Sequence, residues 1–181
     1  HVTGCSKDTT VCITVNPLPV LRISGYRSRS CPTDGPVTLI GSPTGGTFFG
    51  GAYVTSAGVF DPSLATVGSN TISYTYTSPI TSCTDTMQFV ITLKPMPSIS
   101  VTPPADTVCK GASALLSPNY SVDVINIQWT GPAGGLLGSG LNAVNITPPL
   151  SAVDYCVKAK ALSNNGCYDS VIVCLHVNQP P

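Results

Sequence analysis

The sequence predicts an all-β chain made of small tandem sandwiches, and three observations carry that expectation. Val, Ile, Thr, Ser, Gly and Pro dominate the 181 residues, every acidic residue is Asp, and strong helix formers are scarce. Apolar content of 42% supplies packed cores, so the 9% charged fraction does not signal disorder. The third observation is an internal repeat. A cysteine, a β-rich run and a Pro-rich terminator recur from Cys5 to Pro19, from Cys83 to Pro97 and from Cys167 to Pro181, each over 14 positions. Successive cysteines of this set lie 78 and 84 residues apart, the length of one small β-sandwich. Residues 1–18 then read as the last strand of a preceding module, 19–98 as a complete module and 99–181 as another.

Within each module the strand signals are short, with Gly, Pro, Asn and Ser between them. The first module opens on a strand carrying Arg22, Arg27 and Arg29 around Tyr26, a basic cluster best read as a solvated edge protected by charge. Residues 36–40 follow as an early strand, 46–50 and 52–54 as short middle strands, and 70–77 with 86–93 as the closing hairpin. Alternation sets that hairpin's faces: Ile72, Tyr74 and Tyr76 point one way, matched by Phe89, Ile91 and Leu93. The second module repeats the scheme with strands over 98–102, 112–117, 124–130, 144–146, 153–161 and 170–177. Trp129, the single Trp, falls on the third of these, where an Ig-like sandwich buries a Trp. The usual partner Cys on the second strand is missing, with Leu115 and Leu116 in its place, so an aromatic that fills any β core is an equal reading of Trp129.

Charge and motif content exclude several classes. Eight Lys and Arg against eight Asp leave no basic excess for nucleic acid or an anionic membrane surface. No apolar run approaches the roughly 18 residues of a membrane span. A chain opening at His1 without a leader reads as a mature product or an excised fragment. No Glu, two His and no G-x-S-x-G turn give catalysis little to work with, so no enzyme is expected. Isolated Asp residues read as turn caps rather than as calcium ligands, and no cofactor is expected.

Eight cysteines without C-x-x-C or Cys/His spacing point to disulfides and a secreted protein. If Leu162 faces Tyr168 across the last hairpin, Cys156 faces Cys174 on the outward side and the two pair. Cys12 follows Cys5 as Cys174 follows Cys167, so the partners of Cys5 and Cys12 are expected outside the chain. For Cys31, Cys83, Cys109 and Cys167 two connectivities stand open. One joins Cys31 to Cys83 and Cys109 to Cys167 inside modules, leaving Lys94-Pro95-Met96-Pro97 as a semi-rigid linker. The other joins Cys31 to Cys167 across the boundary and makes a stiff rod.

Several phrases resemble a known family. Gly45-Gly46-Thr47-Phe48-Phe49-Gly50, Val59-Phe60-Asp61-Pro62, Thr71-Ile72-Ser73-Tyr74-Thr75-Tyr76 and Ser82-Cys83-Thr84-Asp85-Thr86 resemble the tandem Ig-like/PKD-like repeats of large secreted Bacteroidetes surface proteins. Val108-Cys109-Lys110-Gly111 and Asn165-Gly166-Cys167 resemble a second repeat type of those proteins. The resemblance implies export to the cell surface and a structural or adhesive role, as in gliding-motility adhesins, with neighbouring repeats and surface glycans as partners. It also implies O-glycosylation acceptors at Thr9, Thr86, Thr107 and Ser170, each following an Asp. Two further readings are a carbohydrate-binding module of a polysaccharide-degrading system, and a pilus-like subunit whose residues 1–16 act as a donor strand.

Overall fold

The computed structural model describes residues 4, 7 and 9–178, and it is all-β: two tandem Ig-like sandwiches, each closed by a long hairpin. The first sandwich holds β1 (Arg22–Ser24), β2 (Arg29–Ser30), β3 (Val37–Thr38), β4 (Ile40–Ser42), β5 (Thr47–Phe49), β6 (Val59–Phe60), β7 (Gly68–Thr77) and β8 (Thr84–Leu93). One layer runs in the order β2-β8-β7-β5, and the pairs β1-β4 and β3-β6 pack over it. The hairpin β7-β8 follows directly from alternation. Ile72, Tyr74, Ile91 and Leu93 are all but fully buried, each such side chain contributing about 1.5–3 kcal/mol by leaving water. On the opposite face Thr75 pairs with Thr86 and Thr77 with Thr84 through hydroxyl contacts of 2.9 and 2.8 Å.

Several expectations for this sandwich change. The opening strand breaks into β1 and β2, with Arg27 on neither, and the early strand over 36–40 divides into β3 and β4, which pair in different sheets. Tyr76 and Phe89, expected inward, lie half-buried, and Phe89 is covered by Tyr26, their ring centroids 4.9 Å apart. The short strand expected over 52–54 is a single bridge, Val54 to Phe60. Tyr53 crowds the Gly50-Gly51 turn there, and a Cβ on Gly51 would stand 2.4 Å from its ring.

The second sandwich holds β9 (Ile99–Thr102), β10 (Ala105–Cys109), β11 (Ala114–Tyr120), β12 (Val124–Thr130), β13 (Leu136–Ser139), β14 (Val144–Ile146), β15 (Asp154–Ser163) and β16 (Tyr168–Asn178). The sheet β10-β16-β15-β12-β13 faces the sheet β14-β11-β9. Trp129 on β12 is buried among Leu116, Ile127, Val157, Val173 and Leu175. Leu116 is the inward member of the Leu pair, while Leu115 is 55% exposed. Pro103 and Pro104 lack the N–H that a ladder needs, and between β9 and β10 the chain crosses from one sheet to the other. β10 then runs parallel to β16, as β2 does to β8.

The two hydrophobic cores are separate clusters. One draws on Leu39 through Ile91 and the other on Val101 through Val177. Residues 9–21 join no strand. They nevertheless carry an alternating row, Val11, Ile13 and Val15, exposed by 78%, 83% and 87%.

Candidate functional site: the stapled junction

Chemistry-bearing side chains gather where the two sandwiches meet. Cys31 stands just after β2, in a turn closed by Asp34: the Cys31 N–H donates to Asp34 Oδ2 at 2.8 Å, and the Asp34 N–H donates to Cys31 O at 2.9 Å. Cys167 opens the last strand of the second sandwich and is fully buried. Its N–H donates to Asn165 Oδ1 at 2.8 Å, and its carbonyl accepts from the Ser163 N–H at 2.9 Å. Gly166 supplies the left-handed step, φ 92°, that this tight turn requires. The Cys31 and Cys167 sulfurs are bonded, with Cα atoms 5.6 Å apart.

β8 explains why this connectivity forms and the one inside each module does not. Ser30 lies opposite Leu93, so Cys31 sits at the end of β8 next to the linker. Cys83 sits at the other end, ten strand residues away, about 30 Å at the usual rise. Disulfide formation needs Cα atoms within about 7 Å. The same holds for Cys109, opposite Asn178 at the far end of β16 from Cys167. Internal pairing is thus ruled out by strand length, and Cys83 and Cys109 are free thiols.

Weaker contacts complete the junction. Asn165 Nδ2 donates to Pro95 O at 3.1 Å, so the β15-β16 turn is tied to the linker as well as to Cys31. Ser98 and Ser121 exchange contacts: the Ser121 N–H donates to Ser98 O, and the Ser98 N–H donates to Ser121 Oγ, both at 3.1 Å. Ser121 Oγ also donates to Asp123, whose carboxyl is held below its ordinary value by that bond first and by the Ser163 hydroxyl next. The Asp123 carbonyl accepts from the Asn164 N–H at 2.9 Å, which docks the β12 loop on the same turn. The sequence points to the cysteines and to Asp34 and Asp123 as turn caps, but not to their meeting at a junction, nor to the part that Asn165 plays there. The spacing of Asn165, two before a turn cysteine, is a turn signal that could have found it.

Away from the junction, Cys156 faces Cys174 across β15 and β16 and is bonded to it, with Leu162 opposite Tyr168. The pair lies on the outer face, Cys156 half-buried and Cys174 exposed. Beside it, His176 Nδ1 lies 2.8 Å from Asp154 Oδ1, both side chains more than half exposed, a position where an ion pair contributes little. Cys12 is free and exposed, and Cys5 lies outside the described residues.

Thr9, Thr86 and Thr107 are exposed and Ser170 is half-buried, so the structure does not bring these four together. Thr86, Thr107 and Ser170 share one local geometry, their N–H donating to the Oδ1 of the preceding Asp at 2.7–2.8 Å. Asp8, before Thr9, lies outside the described residues. Thr107 lines an open depression with Asp154, Cys174 and His176. Arg22, Arg27 and Arg29 are exposed on the first edge. Among the described residues no three His, Cys or Asp side chains come together to hold a metal ion.

No protein-family model matches the chain, and no curated protein matches it. Solved structures do. The chain is similar to the N-terminal four Ig domains of a Dscam1 isoform at 14% identity and TM-score 0.40, over 90% of this chain and 48% of that one. It is similar to fibronectin(III)-like modules of Clostridium thermocellum CbhA at 11% identity and TM-score 0.38, over 46% of this chain and all of that one. Drosophila N-cadherin EC1-3 matches at 12% identity and TM-score 0.38, over 84% of this chain and 64% of that one. The chain spans about half the length of the Dscam1 chain that it matches.

Proposed function

We propose that this chain is a non-enzymatic structural and adhesive segment of a long secreted cell-surface fibre, in which 19–98 and 99–181 are successive repeats and 1–18 closes a preceding one. The observation that carries this reading is the Cys31–Cys167 bond, which joins one sandwich to the next rather than strengthening either alone. A covalent tie between neighbours serves an array that must keep its shape outside the cell, where thiols are oxidised and proteases abound.

The N-terminal segment supports the array. Val11, Ile13 and Val15 stand to Cys5 as Phe89, Ile91 and Leu93 stand to Cys83, and as Val173, Leu175 and Val177 stand to Cys167. Except for half-buried Phe89, the later members of those rows are at most 2% exposed, whereas the first row is bare. It has the pattern of a closing strand without the sandwich that would bury it.

The test is surface labelling. Antibodies against residues 19–178 should stain intact cells of the source organism, and external protease should remove the stain. Staining only after lysis would end the surface-fibre reading. On protein isolated from those cells, hexose-sized mass increments on the peptides holding Thr9, Thr86, Thr107 or Ser170 would extend the reading to a glycosylated fibre.

A further inference from the structure

We infer that Cys83 and Cys109 are the two open halves of the same staple that Cys31 and Cys167 close. Cys83 takes the opening-strand cysteine of a preceding repeat, and Cys109 takes the last-strand cysteine of a following one. The inference rests on the repeat-array reading and specifies how its members are joined.

Cys109 is the structural counterpart of Cys31. Arg29 lies opposite Thr92 on β8, and Thr107 lies opposite His176 on β16. Thr92 and His176 are each nine residues past their strand-opening cysteine, so two steps further Cys31 and Cys109 reach the same register. Both then sit at the linker end of the closing strand. The last ladder bond differs in direction, from the Lys94 N–H of the closing strand to Ser30 O at 2.8 Å in one and from the Lys110 N–H of the opening strand to Asn178 O at 3.0 Å in the other, because Pro32, at the place of Lys110, has no N–H to donate.

Cys83 is the counterpart of Cys167, turn by turn. Each carbonyl accepts from the N–H of a serine where the preceding strand finishes, Ser78 just past β7 or Ser163 at the end of β15, at 2.9 Å. Each N–H donates to the side chain two residues back, Thr81 Oγ1 at 3.4 Å or Asn165 Oδ1 at 2.8 Å. Each follows a left-handed residue, Ser82 at φ 58° or Gly166 at φ 92°. In the bonded pair the partner of such a cysteine comes from the neighbour one step earlier in the chain.

A second observation locates that partner. Asn16 stands to Cys5 as Lys94 stands to Cys83 and as Asn178 stands to Cys167, and in both sandwiches this position lies beside the opening-strand cysteine. Cys83 Sγ lies 4.0 Å from Asn16 O. The half-buried thiol is therefore already seated where a preceding repeat would present its cysteine, and Cys109 is exposed at the other end to meet a following one.

Each closure removes two protons and two electrons from a pair of thiols, and a disulfide oxidant such as glutathione disulfide accepts them. One cysteine thiolate attacks the oxidant and releases a glutathione thiolate. The second cysteine thiolate then attacks the mixed disulfide and releases the other. Two thiols become one protein disulfide, and glutathione disulfide becomes two glutathiones.

A second copy of this chain is the probe. In a Cys5→Ser, Cys12→Ser background, concentrated protein is equilibrated in a glutathione redox buffer, separated without reductant, and its disulfides mapped by peptide mass. The expected result is a ladder of oligomers in which Cys83 to Cys109 bonds between copies exceed the two symmetric bonds together at least tenfold. Cys83→Ser and Cys109→Ser should each stop the ladder at dimers, and mixing the two variants should restore the mixed bond. Random pairing, with the mixed bond only equal to the symmetric ones together, or absence of the mixed bond, would overturn the inference. The same digest reports Cys31–Cys167: its absence would remove the array reading itself, whereas its presence beside random pairing would remove only this step.

Discussion

Cys31 and Cys167 lie 136 residues apart in the chain and 5.6 Å apart between Cα atoms, one in each sandwich. When the second sandwich opens beside a folded first one, its chain of about 70 residues from the linker to Cys167 stays pinned at both ends. Loss of that freedom stabilises the sandwich by about 4 kcal/mol in the chain-entropy picture. The same holds in reverse, because an opened first sandwich is pinned from Cys31 to the linker. Cys31→Ser should therefore lower both melting transitions, by about 15–30 °C at 4–8 °C per kcal/mol. Trp129, the single Trp, reports the second sandwich and calorimetry reports both. Shifts below about 3 °C in both would show that the bond leaves the unfolded chain free.

Asp123 gives the junction a pH dependence of definite sign. Its carboxyl lies below the ordinary value of 3.8 because Ser121 and Ser163 donate hydrogen bonds to the ionised form. A depressed carboxylate contributes stability that is present above its unfolded value and is lost as pH falls through the folded one. Melting of the second sandwich should fall below about pH 4, and Asp123→Asn should flatten that part of the curve. A variant with an unchanged acid limb would assign the acid sensitivity to other groups.

Tyr74 fixes the β4-β5 turn of the first sandwich. Its hydroxyl donates to Pro43 O and accepts from the Gly46 N–H at 2.9 Å, while its ring fills the space beside Gly41, where a Cβ would stand 2.2 Å from Cζ. Tyr74→Phe leaves both backbone groups without their partner and should cost about 2–3 kcal/mol. Denaturant unfolding should show that loss in the first sandwich and none in the Trp129 signal of the second. Equal loss in both would mean that the sandwiches unfold as one unit.

The sequence made the hairpins readable for a physical reason. Period-two alternation and a short turn leave one register in which Ile72, Tyr74, Ile91 and Leu93 share a face, and the same rule sets Cys156 opposite Cys174. β10 and β13 escaped notice. Pro103, Pro104 and Asp106 interrupt the apolar signal of the first, and the Gly-rich stretch over 131–140 dilutes that of the second. The choice between connectivities was open because strand alternation specifies neighbours inside a sheet and carries nothing about how one sandwich stacks on the next. Only the lengths of β8 and β16, once their ends were placed, separated Cys31 from Cys83 and Cys109 from Cys167.

Tension along the chain gives the staple its clearest readout. Pulled from its two ends, a chain bonded between Cys31 and Cys167 carries the force through the disulfide, and the residues between them are bypassed. Only the segments before Cys31 and after Cys167 can lengthen, about 45 residues or roughly 150 Å of contour at 3.3–3.6 Å per residue. Reduction frees the bypassed 136-residue span, a further contour of roughly 450 Å. Single-molecule stretching of the oxidised chain should thus show peeling of β1, β2 and the part of β16 beyond Cys174, which Cys156 holds to β15, and no event of whole-sandwich size. The same molecules in reductant should show two such events. Whole-sandwich unfolding in the oxidised sample would mean that the bond is not closed in solution. Where it is closed, the two sandwiches act as links of fixed length, the property that the proposed fibre would need under load.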